Sequence, residues 1–279
     1  MSRFAPSPTG RLHLGHAYSA LLARDLAREN DGRFLLRIED LDQTRSRPEF
    51  VEGIFEDLRW LGLEWDDPLF VQSQRGERYE AALKRLRERD IVYPCFCTRS
   101  DIASAFQAPH GSPIHYPGTC RTVSDDPERR AAIPHSWRLD AAKAAKIAGL
   151  PSWTEVGGRR FDATLEDLDD VILARKDAPA AYHLACVVDD FESGVTLVSR
   201  GTDLRSSTPI QRLLQELLGL EEPTYLHHPL VAHSGGRRLA KRDLAPTLDA
   251  LRRDGVDGRD LGLDLSCGKL PLGFTFVEA

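Results

Sequence analysis

The segment PSPTGRLHLGHA, residues 6–17, decides how the N-terminal half of the chain is interpreted. The residues before it, SRFAPS at 2–7, can form a short strand, and from residue 15 to about residue 30 apolar residues recur at helical spacing. Proline and glycine between the two regions indicate a tight turn. The segment therefore predicts a strand–turn–helix unit in which His13 and His16 lie where the helix begins.

Strand and helix patterns alternate along much of the remaining sequence. FLLRIED at residues 34–40 has the apolar run of a buried strand and then ends in acids. Further helices are predicted at residues 48–61, 74–89 and 208–218, and further strands at 171–176, 195–201 and 227–233. This alternation predicts an α/β fold, with a Rossmann-like parallel sheet covered by helices.

The middle of the chain has a different composition. It is rich in proline, glycine and short polar segments, and it holds three of the five cysteines. We interpret it as an inserted module and divide the chain into four parts. These are residues 1–92, the first half of the catalytic Rossmann domain; 93–170, the insertion; 171–245, the second half; and 246–279, a short C-terminal tail.

Length and composition limit the class of protein. The 279 residues are 41% hydrophobic and 29% charged, which is ordinary for a globular protein with a full core. The net charge of −6 argues against general binding to nucleic acid, although a local basic patch is enough for an RNA partner. No apolar run approaches the ~20 residues that span a bilayer, and no signal peptide is evident. We expect a cytoplasmic monomer that makes no membrane contact and, with five cysteines, has no disulfide framework.

The motif His13-Leu14-Gly15-His16 allows three interpretations on its residues alone. A helix that starts at the carboxyl end of a strand suits phosphate, and two imidazoles there could donate hydrogen bonds to phosphate oxygens. A zinc site on a helix usually has histidines four apart with a nearby acid, whereas these two are three apart. The third interpretation is an ordinary helix start with incidental histidines.

A second motif, SGGRRLAKRD at residues 234–243, combines glycines with four closely spaced cations. A mobile cationic loop suits a polyphosphate that is gripped and then released. For a run of charges taken alone, a solvated basic turn is the favoured interpretation.

Taken together, these motifs resemble the two signature motifs of class I aminoacyl-tRNA synthetases. RFAPSPTGRLHLGHA at 3–17 and RIEDLD at 37–42 are similar to the glutamyl and glutaminyl branch of that family. AYHLACVVDD at 181–190 and VSRGTDL at 198–204 match the same branch. The resemblance extends from residue 3 to about residue 243, and it implies the class I synthetase fold.

The resemblance implies which residues bind each substrate. Arginine forks would bind the carboxylates of L-glutamate, a carboxylate would hold its ammonium, and a tyrosine would supply a hydroxyl. The implied glutamate residues are Arg3, Phe4, Ala5, Pro6, Ser7, Glu39, Tyr182 and Arg200. The implied ATP-binding residues are His13, Gly15, His16, Arg238, Leu239 and Lys241, of which His13, His16 and Lys241 would be catalytic.

The implied reaction is attack of the glutamate carboxylate on the α-phosphorus of ATP, with Mg²⁺ accompanying the nucleotide. It gives glutamyl-adenylate and pyrophosphate, and we expect it to proceed without tRNA. The family loop usually reads Lys-(Met/Leu)-Ser-Lys. Here Lys241 keeps the lysine position, while Ala240 stands where the family has serine.

A third motif consists of Cys95-Phe96-Cys97 followed by Tyr116 and Cys120. Three cysteines and one further donor suit a tetrahedral zinc ion, but buried apolar thiols are the alternative. The resemblance implies one structural Zn²⁺ held by Cys95, Cys97, Tyr116 and Cys120, with His115 as a rival fourth ligand. The other two cysteines, at 186 and 267, are interpreted as structural.

Only about 37 residues follow Arg242, fewer than the helical anticodon-binding region of a full glutamyl-tRNA synthetase requires. The chain therefore resembles short members of the branch, which transfer glutamate to queuosine in the anticodon of tRNA(Asp). The insertion would then help to hold the anticodon stem-loop. Two alternatives are a truncated synthetase that charges tRNA(Glu) and a synthetase-derived RNA-binding protein with weak activity.

Overall fold

The computed structural model describes residues 1–98, 101, 116–123, 125–235 and 246–278. Three parallel strands open the chain, in the order β1 (Ser2–Phe4), β2 (Phe34–Ile38), β3 (Asp66–Val71). All five residues of β2 are buried, as its apolar sequence predicts. The parallel sheet expected for an α/β fold is therefore confirmed in this half.

Three helices lie between and after these strands in sequence: α1 (Leu14–Glu29), α2 (Pro48–Trp60) and α3 (Gly76–Glu88). Each lies within two residues of its predicted bounds. Pro48 is the first residue of α2, where its missing N–H costs no hydrogen bond. After α1 the chain turns at Asp31, whose φ of 49° lies in the left-handed region.

The middle of the chain forms small antiparallel sheets. β4 (Val92–Cys95), β5 (Ser136–Leu139) and β8 (Ile172–Ala174) form one sheet, and β6 (Ser152–Thr154) pairs with β7 (Arg160–Asp162). Two short helices, α4 (Pro127–Ala132) and α5 (Ala141–Ala148), lie on either side of β5 in sequence. Strand β8 belongs to the sheet of β4 and β5, although the composition change placed its residues after the insertion.

Parallel pairing resumes in the second half. α6 (Tyr182–Glu192) leads to β9 (Leu197–Gly201), and α7 (Thr208–Leu218), which has the predicted bounds, leads to β10 (Thr224–His228). The backbone N–H of Leu197 donates to the carbonyl of Met1 at 3.0 Å, so β9 lies beside the start of β1. The two halves of the chain thus bring their strands side by side.

The prediction of one strand over residues 227–233 is wrong. The chain divides at Pro229, so that β10 ends at His228 and β11 (Leu230–His233) begins a different pairing. β10 is parallel to β9, whereas β11 is antiparallel to β12 (Phe274–Val277). Proline has no N–H to donate to a ladder, so the strand changes partner there.

The C-terminal residues are more ordered than their sequence indicates. α8 (Leu248–Arg253) and α9 (Gly258–Ser266) precede β12. Leu261 and Leu265 of α9 are buried in the same hydrophobic core as Leu14 and Leu21 of α1. A Cβ at Gly262 would lie 2.7 Å from the carbonyl oxygen of Leu61, so the absence of a side chain allows this close packing. The tail therefore completes the core of the first half.

A second hydrophobic core lies between helices and the sheet of β4, β5 and β8. It joins α3, α5, α6 and α7 through buried residues that include Tyr79, Leu86, Leu184 and Leu213. Within the part of the chain that the structure describes, no helix is both long and apolar enough to cross a bilayer.

Candidate active site

A cleft of about 350 Å³ opens where the carboxyl ends of β1, β2 and β9 meet the start of α1. This edge of a parallel sheet is where α/β proteins bind ligands. Nine of the residues predicted to bind glutamate or ATP line it: Arg3, Phe4, Ala5, His13, Gly15, His16, Glu39, Tyr182 and Arg200. Residues more than 190 positions apart in sequence are thus brought to one place.

Two histidines build the start of α1. The backbone N–H of Gly15 donates to Nδ1 of His13 at 3.2 Å, and the backbone N–H of His13 donates to Nδ1 of His16 at 3.2 Å. The two rings lie with their centroids 3.8 Å apart. Because each Nδ1 accepts a hydrogen bond, the neutral rings carry their proton on Nε2. This reciprocal cap fixes both imidazoles at the positive end of the helix dipole.

Arg3 is held in the cleft wall by a buried carboxylate. Its Nε donates to Oδ1 of Asp190 at 2.9 Å, its Nη2 to Oδ2 at 3.2 Å, and its Nη1 to the carbonyl of Ser199 at 3.2 Å. Arg37, 2% exposed, donates to the same Asp190 at 2.5 Å. Burial alone would raise the pKa of Asp190, but Arg3 and Arg37 overcome it and hold that pKa at about 2. Asp190 therefore stays ionised and fixes both guanidinium groups.

Glu39 follows β2 and faces the cleft beside this network. Its Oε1 accepts hydrogen bonds from Nη2 of Arg37 at 3.0 Å and from the thiol of Cys186 at 3.4 Å. A carboxylate fixed in this way presents negative charge to the cleft. That is the charge needed to bind an ammonium group.

Arg200, at the end of β9, is fixed by three partners. Its Nη1 donates to Oε1 of Gln211 at 2.6 Å, its Nη2 to Oγ1 of Thr208 at 2.8 Å, and its Nε to Nε2 of His227 at 3.3 Å. The other nitrogen of His227 lies 2.9 Å from Oε1 of Glu155. Since Nε2 accepts from Arg200, Nδ1–H donates to Glu155. Burial lowers the pKa of His227 to about 4, so its ring is neutral at pH 7.

Helix α6 contributes one face to the cleft. Tyr182, Cys186 and Asp190 are spaced four apart, so they lie on one side of the helix. Burial raises the pKa of the Tyr182 hydroxyl above its usual range, so this group remains a neutral donor. Cys186, interpreted from sequence as structural, lies in the cleft wall.

Some predicted residues lie elsewhere. Pro6 is buried and Ser7 is exposed, and neither is among the residues that line the cleft. The cationic-loop residues Arg238, Leu239, Ala240 and Lys241 lie outside the described residues. Sequence reasoning missed other lining residues, which include Ser19, Asp203 and His228. Ser19 is three residues after His16 on α1, and its hydroxyl lies 2.8 Å from Nε2 of His228, so helical spacing could have indicated it.

The cysteine cluster forms a separate site at the end of β4. The sulfur atoms of Cys95, Cys97 and Cys120 all lie within 4.8 Å of one another. The Tyr116 hydroxyl is 3.4 Å from the sulfurs of both Cys95 and Cys97, and Cys97 and Cys120 are 3.5 Å apart. The structure thus brings together the four predicted metal ligands, while the rival His115 lies outside the described residues.

The chain matches a known protein family along most of its length. The family described as class I tRNA synthetases (E and Q), catalytic domain, matches residues 1–260. This chain belongs to that family. The family assignment agrees with the sheet and with the placement of the cleft.

Two similar proteins within this synthetase family share a more specific name. The chain is 45% identical to Glutamyl-Q tRNA(Asp) synthetase of Rhodobacter capsulatus, over 94% of this chain and 98% of the relative. It is 49% identical to the protein of the same name from Nocardia farcinica, over 91% of this chain and 79% of the relative.

A solved structure shows the same class I synthetase fold. It is a glutamate tRNA ligase from Elizabethkingia meningosepticum, crystallised with its amino acid, and it superposes with a TM-score of 0.72 at 31% identity. The match covers 86% of this chain and 51% of the ligase, so this chain spans about half the length of that protein.

Proposed function

We propose that the protein activates L-glutamate with ATP, in the absence of tRNA, and transfers the glutamyl group to queuosine in the anticodon of tRNA(Asp). The observation that carries the proposal is the single cleft in which an arginine–carboxylate pocket adjoins a helix start capped by two histidines. The nature of the acceptor is supported by the relatives at 45% and 49% identity, both of which are named for it.

The pocket provides complementary charges for glutamate. Three hydrogen bonds use three of the five N–H groups of Arg3, so the other two can meet a substrate carboxylate. Arg200 supplies the second guanidinium, and Tyr182 a hydroxyl. Glu39 attracts the α-ammonium. In this proposal Phe4 and Ala5 form the walls, and Pro6 and Ser7 support the turn that follows.

The start of α1 receives the phosphates of ATP. An oxygen of the glutamate carboxylate attacks the α-phosphorus, and the bond from that phosphorus to the bridging oxygen breaks, which releases pyrophosphate. Nε2–H of His13 and of His16 donates to phosphate oxygens as negative charge develops on them. We assign Lys241 to the same phosphates, with Arg238 and Leu239 beside the nucleotide and Mg²⁺ accompanying ATP.

The cysteine cluster fits one structural Zn²⁺. Zinc–sulfur bonds of about 2.3 Å and a zinc–oxygen bond of about 2.1 Å imply ligand separations of roughly 3.6–3.8 Å in a tetrahedron. The separations of 3.4 and 3.5 Å within the cluster are close to these values. Nε of Arg138 donates a hydrogen bond to the sulfur of Cys95 at 3.3 Å, so a positive charge borders the proposed metal site.

The insertion, residues 93–170, is proposed to contact the anticodon stem-loop. Queuosine lies in an unpaired loop, and proteins recognise such bases by splaying them out of the stack. The two halves of the Rossmann domain, 1–92 and 171–245, would then carry the activation chemistry, and residues 246–279 would complete the core of the first half.

The test is to supply labelled glutamate, ATP and Mg²⁺ with either tRNA(Glu) or queuosine-containing tRNA(Asp). We expect label on tRNA(Asp) and background on tRNA(Glu). Label on tRNA(Glu) alone would instead identify an aminoacylating synthetase. Absence of glutamate-dependent pyrophosphate exchange in the zinc-loaded protein would refute the activation step.

A further inference from the structure

Three aromatic rings form a row at the surface beside the cysteine cluster. The ring centroids of Phe96 and His135 are 5.6 Å apart, and those of His135 and Trp137 are 5.2 Å apart. All three side chains are half-buried. Each ring is therefore anchored in the protein while part of it remains accessible.

Three guanidinium groups lie over two of these rings, Phe96 and Trp137. Cζ of Arg87 lies 4.0 Å from the centre of the Trp137 ring, Cζ of Arg129 lies 4.2 Å from that of Phe96, and Arg130 approaches Trp137 at 5.5 Å. We call these six residues, Phe96, His135, Trp137, Arg87, Arg129 and Arg130, the arginine–aromatic cluster. Guanidinium planes at these distances are in cation–π contact with the rings.

The charge of the cluster is only partly neutralised. Arg130 forms an ion pair with Asp125 at 2.5 Å. Among the described residues, no carboxylate lies within ion-pair distance of Arg87 or Arg129, and both arginines are exposed. In a chain with a net charge of −6, this is a local basic surface with aromatic rings beneath it.

We propose that the arginine–aromatic cluster binds unpaired nucleotides of an RNA loop. Bases stack on aromatic rings and on guanidinium planes, and arginine neutralises the adjoining phosphates. A base stacked inside a duplex cannot reach such a row, so the cluster selects single-stranded RNA. The inference rests on the proposed function and names the surface that meets the loop, which is formed by the insertion together with Arg87 of α3.

The arginine–aromatic cluster is connected to the cysteine cluster by the backbone of β4 and β5. Phe96 lies between two of the proposed zinc ligands, Cys95 and Cys97, and Trp137 is the β5 partner of Pro94 in β4. A bound metal would therefore fix the backbone that carries Phe96. The stacking surface and the metal site are one structural unit.

The test measures RNA binding by the zinc-loaded full-length protein. The probe is a fluorescein-labelled RNA hairpin with the stem and seven-nucleotide loop of an anticodon arm, compared with a duplex of the same stem. The double variant Arg87→Gln/Arg129→Gln should raise the Kd for the hairpin about tenfold, in line with the loss of stacking and phosphate contacts. Weak duplex binding should change little.

The matched control is Arg28→Gln/Arg33→Gln. These two arginines are also exposed, so the control removes the same number of positive charges at positions outside the arginine–aromatic cluster. The control should change the hairpin Kd less than twofold. A second variant, Arg87→Gln/Arg129→Lys, keeps the charge at residue 129 but loses the planar group. Its affinity for the hairpin should lie between those of the wild type and of Arg87→Gln/Arg129→Gln.

Two results of the binding measurement would overturn the inference. One is a hairpin Kd for the double variant equal to that of the control, and the other is no hairpin binding by the wild type. Crosslinking of a 4-thiouridine-substituted loop should label peptides that contain Phe96 or Trp137, and labelling only elsewhere would also contradict it. Glutamate-dependent pyrophosphate exchange should be unchanged in both double variants. Failure of pyrophosphate exchange in the wild type would refute the proposed function. The hairpin Kd values would still test RNA binding by the arginine–aromatic cluster.

Discussion

His13 and His16 cap α1 reciprocally, because Nδ1 of His16 accepts the backbone N–H of His13 at 3.2 Å while Nδ1 of His13 accepts that of Gly15. The hydrogen bonds that stabilise the helix start also set the tautomer of both rings. One pair of residues therefore has a structural role and, in our proposal, a catalytic one. The two roles can be separated by substitution.

His16→Ala should lower glutamate-dependent pyrophosphate exchange by about 10²-fold, because a donor to the developing phosphate charge is lost. It should also lower the free energy of unfolding by about 1 kcal/mol through loss of the cap. His16→Gln is the matched variant, since its side-chain oxygen can accept the same backbone N–H. It should restore most of the stability but little of the activity. Recovery of full activity in His16→Gln would contradict the phosphate role.

Glu155→Ala should raise the KM for glutamate about tenfold with little change in the KM for ATP. Glu155 holds His227, and His227 accepts from Nε of Arg200, so loss of the carboxylate loosens the guanidinium proposed to bind substrate. Glu155→Gln keeps a hydrogen-bond acceptor and should have a smaller effect. Equal KM values for glutamate in wild type and Glu155→Ala, measured by pyrophosphate exchange, would show that this chain of contacts does not position Arg200.

Cys120→Ser should reduce bound zinc from about one equivalent to near zero, measured by elemental analysis after dialysis. The cause is loss of one of three thiolates from the cluster. Cys267→Ser is the control, because Cys267 is exposed and is not one of the three clustered cysteines. Unchanged zinc content in Cys120→Ser, or no zinc in the wild type, would refute the site.

Asp57→Asn should stabilise the protein in a pH-dependent way. Asp57 is fully buried on α2, neither of its oxygens has a hydrogen-bond partner among the described residues, and its nearest cation is Arg252 at 3.7 Å. Burial raises its pKa from 3.8 to about 6, against the opposing charges of Arg252 and Arg11. The folded protein then binds this proton more tightly than the unfolded chain, so stability falls as pH rises from about 4 to about 6.

The two proteins should therefore be closest in stability near pH 4, and Asp57→Asn should be more stable by about 1–3 kcal/mol above pH 6.5. Urea unfolding across this range measures the difference. Glu56→Gln removes an exposed carboxylate from the same helix and should change stability by less than about 1 kcal/mol. A constant difference between Asp57→Asn and wild type at all pH values would show that Asp57 does not titrate in this window.

The periodicity of apolar residues predicted those helices and strands whose burial is decided by their own sequence. The sequence predicted both β2 and α7, because β2 is a continuous apolar run and α7 has apolar residues at helical spacing. The division at Pro229 was not, since the change of sheet depends on β12, which lies more than 40 residues later. The role of residues 246–278 was missed for the same reason, as their apolar side chains pack against α1 rather than against each other.

In the candidate site, too, contacts between distant segments were not predicted from the sequence. Arg3, Glu39, Tyr182 and Arg200 were placed through motifs, and all four line the cleft. The motifs did not indicate that Asp190 pairs with Arg3 and Arg37, because such a pairing is a property of three separate segments. Its one sequence signal is the four-residue spacing of Tyr182, Cys186 and Asp190 on α6, which predicts a shared face.

The most direct test of the central claim uses tRNA(Asp) from which the 3′-terminal nucleotides have been removed. The protein, labelled glutamate, ATP and Mg²⁺ are incubated with this trimmed RNA, prepared once with queuosine and once with guanosine at the same position. We predict about stoichiometric labelling of the queuosine form and background on the guanosine form, because the acceptor hydroxyl belongs to the modified base. Labelling that disappears with the 3′ nucleotides, or that is equal with guanosine, would contradict the proposed function.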